Sequence, residues 1–209
     1  MVICHGAGSR KENHADFGRA CAAAGWAALA YDQRGHGDSR DQMSPQAVGD
    51  VTRMARLLAA IDGVDGERVC VRGSSMGGLI AIHGAAAGEA LAGVIAICPA
   101  SEEHLLRGLR RGELEMRIGE RARSDLEAWL SEHDLRDAVA MLAPRPLVLI
   151  HARGDERIPS EWSEQLYQRA GEPRKLILLP GGHHRSAQHD SELQGVARRW
   201  LERNLPAGR

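Results

Sequence analysis

The 209-residue chain has few aromatic rings: one phenylalanine, two tyrosines and four tryptophans, 3% in all. That scarcity excludes a stacking platform for nucleobases and an extended aromatic cleft for sugars. An excess of charge of one sign is also missing. Lys and Arg number 27 against 28 Asp and Glu, a formal net charge of −1, so there is no electrostatic footprint for nucleic acid or an anionic membrane. No apolar run approaches the roughly 20 residues needed to span a bilayer. Met1 runs straight into Val2-Ile3-Cys4, without a basic n-region or cleavage site. Only Cys4, Cys21, Cys70 and Cys98 occur, at spacings that match neither a zinc site nor a redox pair. Three of them fall in apolar strand-like runs and read as small buried hydrophobes, not disulfides. A cytoplasmic location is the expectation. No H-E-x-x-H and no metal-ligand spacing is present, so neither a metal nor another cofactor is expected.

What is present is alternation. Short β-rich apolar runs at Met1–Cys4, Trp26–Tyr31, Val69–Arg72, Leu91–Cys98, Leu147–His151 and Leu176–Leu179 are separated by amphipathic helical patterns. Phe17, Ala20, Cys21 and Ala24 follow helical spacing, with Gly25 as a left-handed stop. Val48, Val51, Met54 and Leu58 form a second stripe, and Ser191 with Gln194 reads as a capping box for a last helix. Runs apolar on both faces, alternating with helices, predict a three-layer α/β domain over 1–209 with a mainly parallel sheet of about six strands. Such sheets carry their working residues on loops at the carboxyl ends of the strands. Residues 101–133 interrupt the alternation with an Arg- and Glu-rich stretch, and Ser124 with Glu127 reads as another capping box. The stretch predicts a small helical insertion, either a cap over substrate or an ordinary long crossover.

Chemistry enters at Gly73-Ser74-Ser75-Met76-Gly77-Gly78, which follows the run Val69-Cys70-Val71 and opens the helical pattern Leu79–Ala87. G-x-S-x-G between a strand and a helix describes a strained turn that projects its serine, with glycines where side chains would collide. A serine needs a base, and that base needs an acid to hold it. Asp155 follows the run Leu147–His151, with Glu156 as a neighbouring acid. Leu178-Leu179-Pro180-Gly181-Gly182-His183-His184 supplies the histidine loop. His183, His184 and His189 compete for the role of base. Gly6-Ala7-Gly8 lacks the rest of a dinucleotide or P-loop motif.

Taken with His5-Gly6-Ala7-Gly8 and Asp32-Gln33-Arg34-Gly35-His36-Gly37-Asp38-Ser39, these stretches make the chain resemble the α/β-hydrolase superfamily over nearly its full length. The resemblance is strongest to the branch of monoglyceride lipases, serine aminopeptidase-like hydrolases and small carboxylesterases. It implies Ser75 as nucleophile, Asp155 and His184 as its partners, and backbone N–H groups of Ala7 and Met76 as the oxyanion hole. It also makes His5, His36, Asp32 and Asp38 structural, and His151 reads as a satisfied core histidine. The implied activity is cleavage of small carboxylic esters, with short-chain or compact acyl groups, through an acyl-enzyme on Ser75. Thioester or amide cleavage and acyl transfer use the same groups. A non-catalytic binding protein on this fold is the reading of a different class.

One departure stands out. Relatives carry one or two strands before the His-Gly loop, whereas Met1 begins at their third, so the chain reads as a minimal hydrolase or as one whose start lies upstream. The run 26–31 would then be a sheet edge without the charge or proline that protects edges, and the expectation is that a second subunit, as a homodimer through 26–31, or a rearranged segment covers it.

Overall fold

The six apolar runs become six parallel strands in the computed structural model, which describes residues 1–206. They are β1 (Val2–Cys4), β2 (Leu29–Ala30), β3 (Cys70–Ser74), β4 (Gly93–Ile97), β5 (Leu147–Ala152) and β6 (Arg174–Leu179), in the order β2-β1-β3-β4-β5-β6. The pleat sends alternate residues to opposite faces, and both faces are apolar. Val2, Cys4, Val71, Val94, Ala96, Leu147 and Leu149 belong to one core. Ile3, Cys70, Ile95, Ile97, Val148 and Ile150 belong to the other. The register aligns them, with Val2 beside Val71, Val71 beside Val94, and Val94 beside Leu147.

Helices cover both faces. α1 (Ala15–Ala23) places Phe17 and Cys21 on the second core. α2 (Ala47–Ala59) and α3 (Met76–Ala86) pack on the first. After α4 (Glu102–Arg111) and α5 (Glu120–Glu132), α6 (Leu135–Ala140) and α7 (Ser160–Arg169) return to the first core. The short α8 (Ser186–His189) leads into α9 (Ser191–Asn204), whose Ala197 and Leu201 close the second. Among the described residues no helix is long and apolar enough to cross a membrane.

Several local expectations are corrected. The predicted edge run 26–31 pairs with β1 only at Leu29 and Ala30. The Trp26 amide is drawn to the Cys21 carbonyl at the end of α1, 3.0 Å away, and its ring joins the second core. The edge therefore offers two ladder residues instead of six, which blunts it. α9 is capped by Asp190, whose Oδ1 accepts the Leu193 amide at 2.9 Å, and not by Ser191 with Gln194. α5 begins four residues before Ser124, whose hydroxyl donates back to the Glu120 carbonyl at 3.2 Å. Gly25, at φ 78°, does end α1 as a left-handed residue.

Residues 101–133 fold as α4 and α5, with Leu105, Leu109 and Leu130 set on the first core. The insertion is also laced to the loop after β2. The Arg117 amide donates to Gly35 at 2.8 Å, and the Met43 amide donates to Arg117 at 2.9 Å. At its base His83 of α3 meets Glu102 at 2.5 Å, both nearly enclosed.

Candidate active site

Ser75 lies between β3 and α3 at φ 54°, ψ −123°, a region that a non-glycine residue occupies only when its surroundings enforce it. The enforcement is visible. The Ser75 amide donates to Ile97 on β4 at 2.9 Å, and the Ser75 carbonyl accepts from the amides of Gly78 at 2.9 Å and Ala100 at 3.1 Å. Backbone crowding explains the flanking glycines. A Cβ on Gly73 would lie 2.1 Å from the Gly77 carbonyl oxygen, and one on Gly77 would lie 2.4 Å from both the Cys4 and His5 carbonyl oxygens. Met76 opens α3, so helical geometry leaves its amide among those without an i−4 acceptor.

Asp155 follows β5 with its side chain fully enclosed. Its Oδ1 accepts the amides of Arg157 and Ile158, each at 2.9 Å. Its Oδ2 lies 2.7 Å from Nδ1 of His184 and 3.2 Å from Nε2 of His151. Burial alone would push the Asp155 carboxyl up. The hydrogen bonds from His151, His184 and the two amides outweigh it and hold the group well below the usual carboxylate range. His184 and Ser75 line one cavity of about 330 Å³ together with Gly6, Ala7 and Gly8.

The adjacent candidates separate cleanly. His183 is exposed, its amide donating to Ser186 Oγ at 2.8 Å and its Nδ1 accepting the Arg185 amide at 3.2 Å. His189 pairs with Asp16 at 3.2 Å and stacks on His14. Among the three, His184 alone meets Asp155. Glu156 is exposed and accepts the His184 backbone amide at 3.0 Å.

The residues expected to be structural brace the loops. His5 is fully buried; its Nδ1–H donates to the Gly6 carbonyl at 2.8 Å and its Nε2 accepts the Gln33 amide at 3.0 Å. Burial lowers its pKa to about 4, so it stays neutral. His36 meets His5 edge-on, with ring centres 5.0 Å apart. Asp32 and Asp38 share the ammonium of Lys11, at 2.6 Å and 2.8 Å, and Glu12 is 3.0 Å from the same group. These three carboxylates lie close enough to hold a metal ion, and the lysine serves as their cation. Cys98, Asp155 and His184 form a second such group. There the Asp155–His184 bond engages two of the three, and burial pushes the Cys98 thiol up, which keeps it protonated.

Two features went unread in the sequence. His151 is a core histidine, as expected, with Nδ1 2.7 Å from Ser163 Oγ and Nε2 2.9 Å from the Ile158 carbonyl, but it also reaches Asp155. Arg72 on β3 is wholly buried in the second core. It donates to His14 Nδ1 and to the Gln188 carbonyl, each at 3.0 Å, over the Phe17 ring. Burial lowers its pKa to about 10. Gln188 in turn donates to the His184 carbonyl at 3.2 Å, so the core arginine supports the histidine loop. An arginine inside an apolar run, followed directly by Gly73, was the available signal.

Known proteins share this architecture. The model of a family described as serine aminopeptidase, S33, matches residues 1–126. The uncharacterised protein YfhR of Escherichia coli O157:H7 is 31% identical over 163 residues. That match covers 77% of this chain and 54% of YfhR, so the chain spans about half the length of that relative. Among solved structures, the α/β hydrolase GrgF from a Penicillium species superposes with a TM-score of 0.77 at 17% identity, covering 98% of this chain and 89% of that one. A monoacylglycerol lipase of Paleococcus ferrophilus gives 0.74 at 16%, covering 97% and 92%. At such identities the superpositions establish a common fold.

Proposed function

Because the chain belongs to the serine aminopeptidase S33 family of α/β hydrolases, we propose that it is a serine hydrolase that cleaves small carboxylic esters through an acyl-enzyme on Ser75. The observation that carries the reading is His184 Nδ1 at 2.7 Å from an enclosed, ionised Asp155, on the same cavity as a serine held at φ 54°. Asp155 accepts a proton-bearing Nδ1, which leaves the Nε2 lone pair of His184 free to act as base. His184 takes the Ser75 proton as Oγ attacks the carbonyl, and the amides of Met76 and Ala7 hold the oxyanion. The proton then passes to the leaving alcohol, and water repeats the cycle to release the acid.

Beyond Met76 an apolar cleft of about 30 Å³ runs between α2, α3 and the insertion, lined by Leu79, Leu105, Leu126 and Trp129 among others. Space for little more than one water-sized group supports a short or compact acyl group, with residues 101–133 as its cap. The test is labelling with a fluorophosphonate probe and site mapping, alongside para-nitrophenyl esters of rising chain length. Ser75 takes the label, Ser75→Ala removes label and turnover, and short esters are preferred. An unlabelled wild type, or a Ser75→Ala protein that keeps its turnover, overturns the reading; a preference for long acyl chains overturns the compact acyl site.

A further inference from the structure

The cavity that joins Ser75 to His184 contrasts with the apolar cleft beyond Met76. Of its eleven lining residues, Ala7 alone carries an apolar side chain, and none is Asp or Glu. Its charged members are Arg157 and Arg185, both exposed, and its hydrogen-bonding side chains include Ser9, Asn13 and Gln188. The guanidinium of Arg185 has no ion pair among the described residues. That of Arg157 lies a loose 3.8 Å from Glu156, whose other oxygen is engaged by the His184 amide. His189, also on the wall, lies 3.2 Å from Asp16. A wall with two cations, neutral donors and almost no apolar side chain makes a poor bed for a hydrocarbon and a good one for an anion.

The chemistry of the step says which part of the substrate meets that wall. His184 delivers its proton to the leaving oxygen, so the alcohol portion departs on the His184 side. Arg185 is the next residue in the chain, and Arg157 follows Asp155 by two. From this geometry we infer that the enzyme's substrates are esters whose alcohol portion carries an anionic group, a carboxylate or a phosphate, held by Arg157 and Arg185 while the acyl group faces Met76. The inference rests on the serine-hydrolase reading and narrows it. Hydrolysis then releases an anionic alcohol and a neutral-chain acid, with water supplying the only other reactant.

A matched ester series tests it. Para-(carboxymethyl)phenyl butyrate and its neutral isostere para-(carbamoylmethyl)phenyl butyrate share an acyl group and nearly the same leaving group. The carboxylate should be favoured in kcat/KM by on the order of tenfold, a value limited by the exposure of both arginines. The preference should fall as salt is raised and collapse towards unity in Arg157→Gln/Arg185→Gln. A para-(phosphonomethyl)phenyl butyrate arm separates phosphate from carboxylate. Phenyl hydrogen glutarate, with its anion on the acyl side, should gain nothing. Equal rates for acid and amide in wild type, a preference that survives the double substitution, or an equal gain for the glutarate each overturn the inference. Should the double variant fail to fold, the salt dependence of the wild-type preference decides. Turnover of the neutral amide together with Ser75 labelling shows that the hydrolase reading holds even where the anion preference is absent; loss of both means that the hydrolase reading itself has failed.

Discussion

Replacing Asp155 with asparagine is the sharpest single perturbation of this site, because its bonds to His184, His151 and two backbone amides are known. The two backbone amides of Arg157 and Ile158 require an acceptor, so they fix the asparagine carbonyl where Oδ1 now sits. The new amide NH₂ must then face both His184 Nδ1 and His151 Nε2. His184 answers by presenting its Nδ1 lone pair, which moves its proton to Nε2 and leaves Ser75 without a base. A wrong tautomer of this kind costs about 10⁴ in kcat in a serine triad, or roughly 5.5 kcal/mol of barrier at 1.36 kcal/mol per tenfold. His151 must also turn its Nε2 into an acceptor, which strips the Ile158 carbonyl of its donor at a buried position. One such orphan costs about 1–3 kcal/mol, and at roughly 2–4 °C per kcal/mol for a domain of this size Tm should fall by about 2–12 °C. Initial rates with a short para-nitrophenyl ester and a thermal melt measure the two effects separately. An Asp155→Asn protein within tenfold of wild-type kcat would refute the claim that this carboxylate sets the tautomer of His184.

Gly77→Ala places a methyl 2.4 Å from the carbonyl oxygens of Cys4 and His5, so the oxyanion loop must move. The expected result is a loss of roughly 1–3 kcal/mol in denaturant unfolding with turnover down about 100-fold, and unchanged turnover would contradict it. Stability should fall with acid before most carboxylates titrate. His5 and His14 are held neutral, with pKa values lowered to about 4 and about 3, first by burial and in His14 next by Arg72. The unfolded chain therefore binds the extra protons, and stability present above about pH 6.5 is lost as pH falls towards 4. For His5 alone the 2.5-unit difference amounts to ~3 kcal/mol, and a Tm flat over that range by calorimetry would refute it. Arg72→Met should leave stability within about 2 kcal/mol, since removing a buried charge offsets the two hydrogen bonds lost. It should also lower kcat by loosening Gln188, whose carbonyl then keeps only the bond from the Gln194 side chain at 2.6 Å; a variant of full activity would show that the loop needs no support from Arg72.

The sheet was legible because its strands are apolar on both faces, a pattern that little else produces. Boundaries failed where a tertiary contact took over, as at Trp26, whose amide the end of α1 claims before β1 can. Caps failed because Ser, Asp and Glu recur every few residues: Asp190 and Ser191 have equal local claims, and only the chain's path chooses between them. At the candidate site, the turns that hold Ser75 and Asp155 were legible because each carries glycine, Gly73 and Gly77 in the first and Gly154 in the second. His183 and His184 were not separable, because neighbours in a loop point apart and only Asp155, 29 residues away, distinguishes them. The reach of His151 to Asp155 was invisible for a related reason, as it depends on the chain turning back between them.

α3 is an unusual place to begin a helix. Ten of its eleven residues, Met76 to Ala85, are buried, so protein packs around the helix up to the wall of the cavity that Ser75 lines. A helix terminus at a surface loses much of its field to water and salt; this one meets solvent where Ser75 lines the cavity. In the proposed acyl transfer, negative charge forming beside Ser75 would meet dipoles that are already oriented, with little reorganisation. The strain in the serine's backbone is met during folding, so the proposed chemical step would start from a turn already arranged for it.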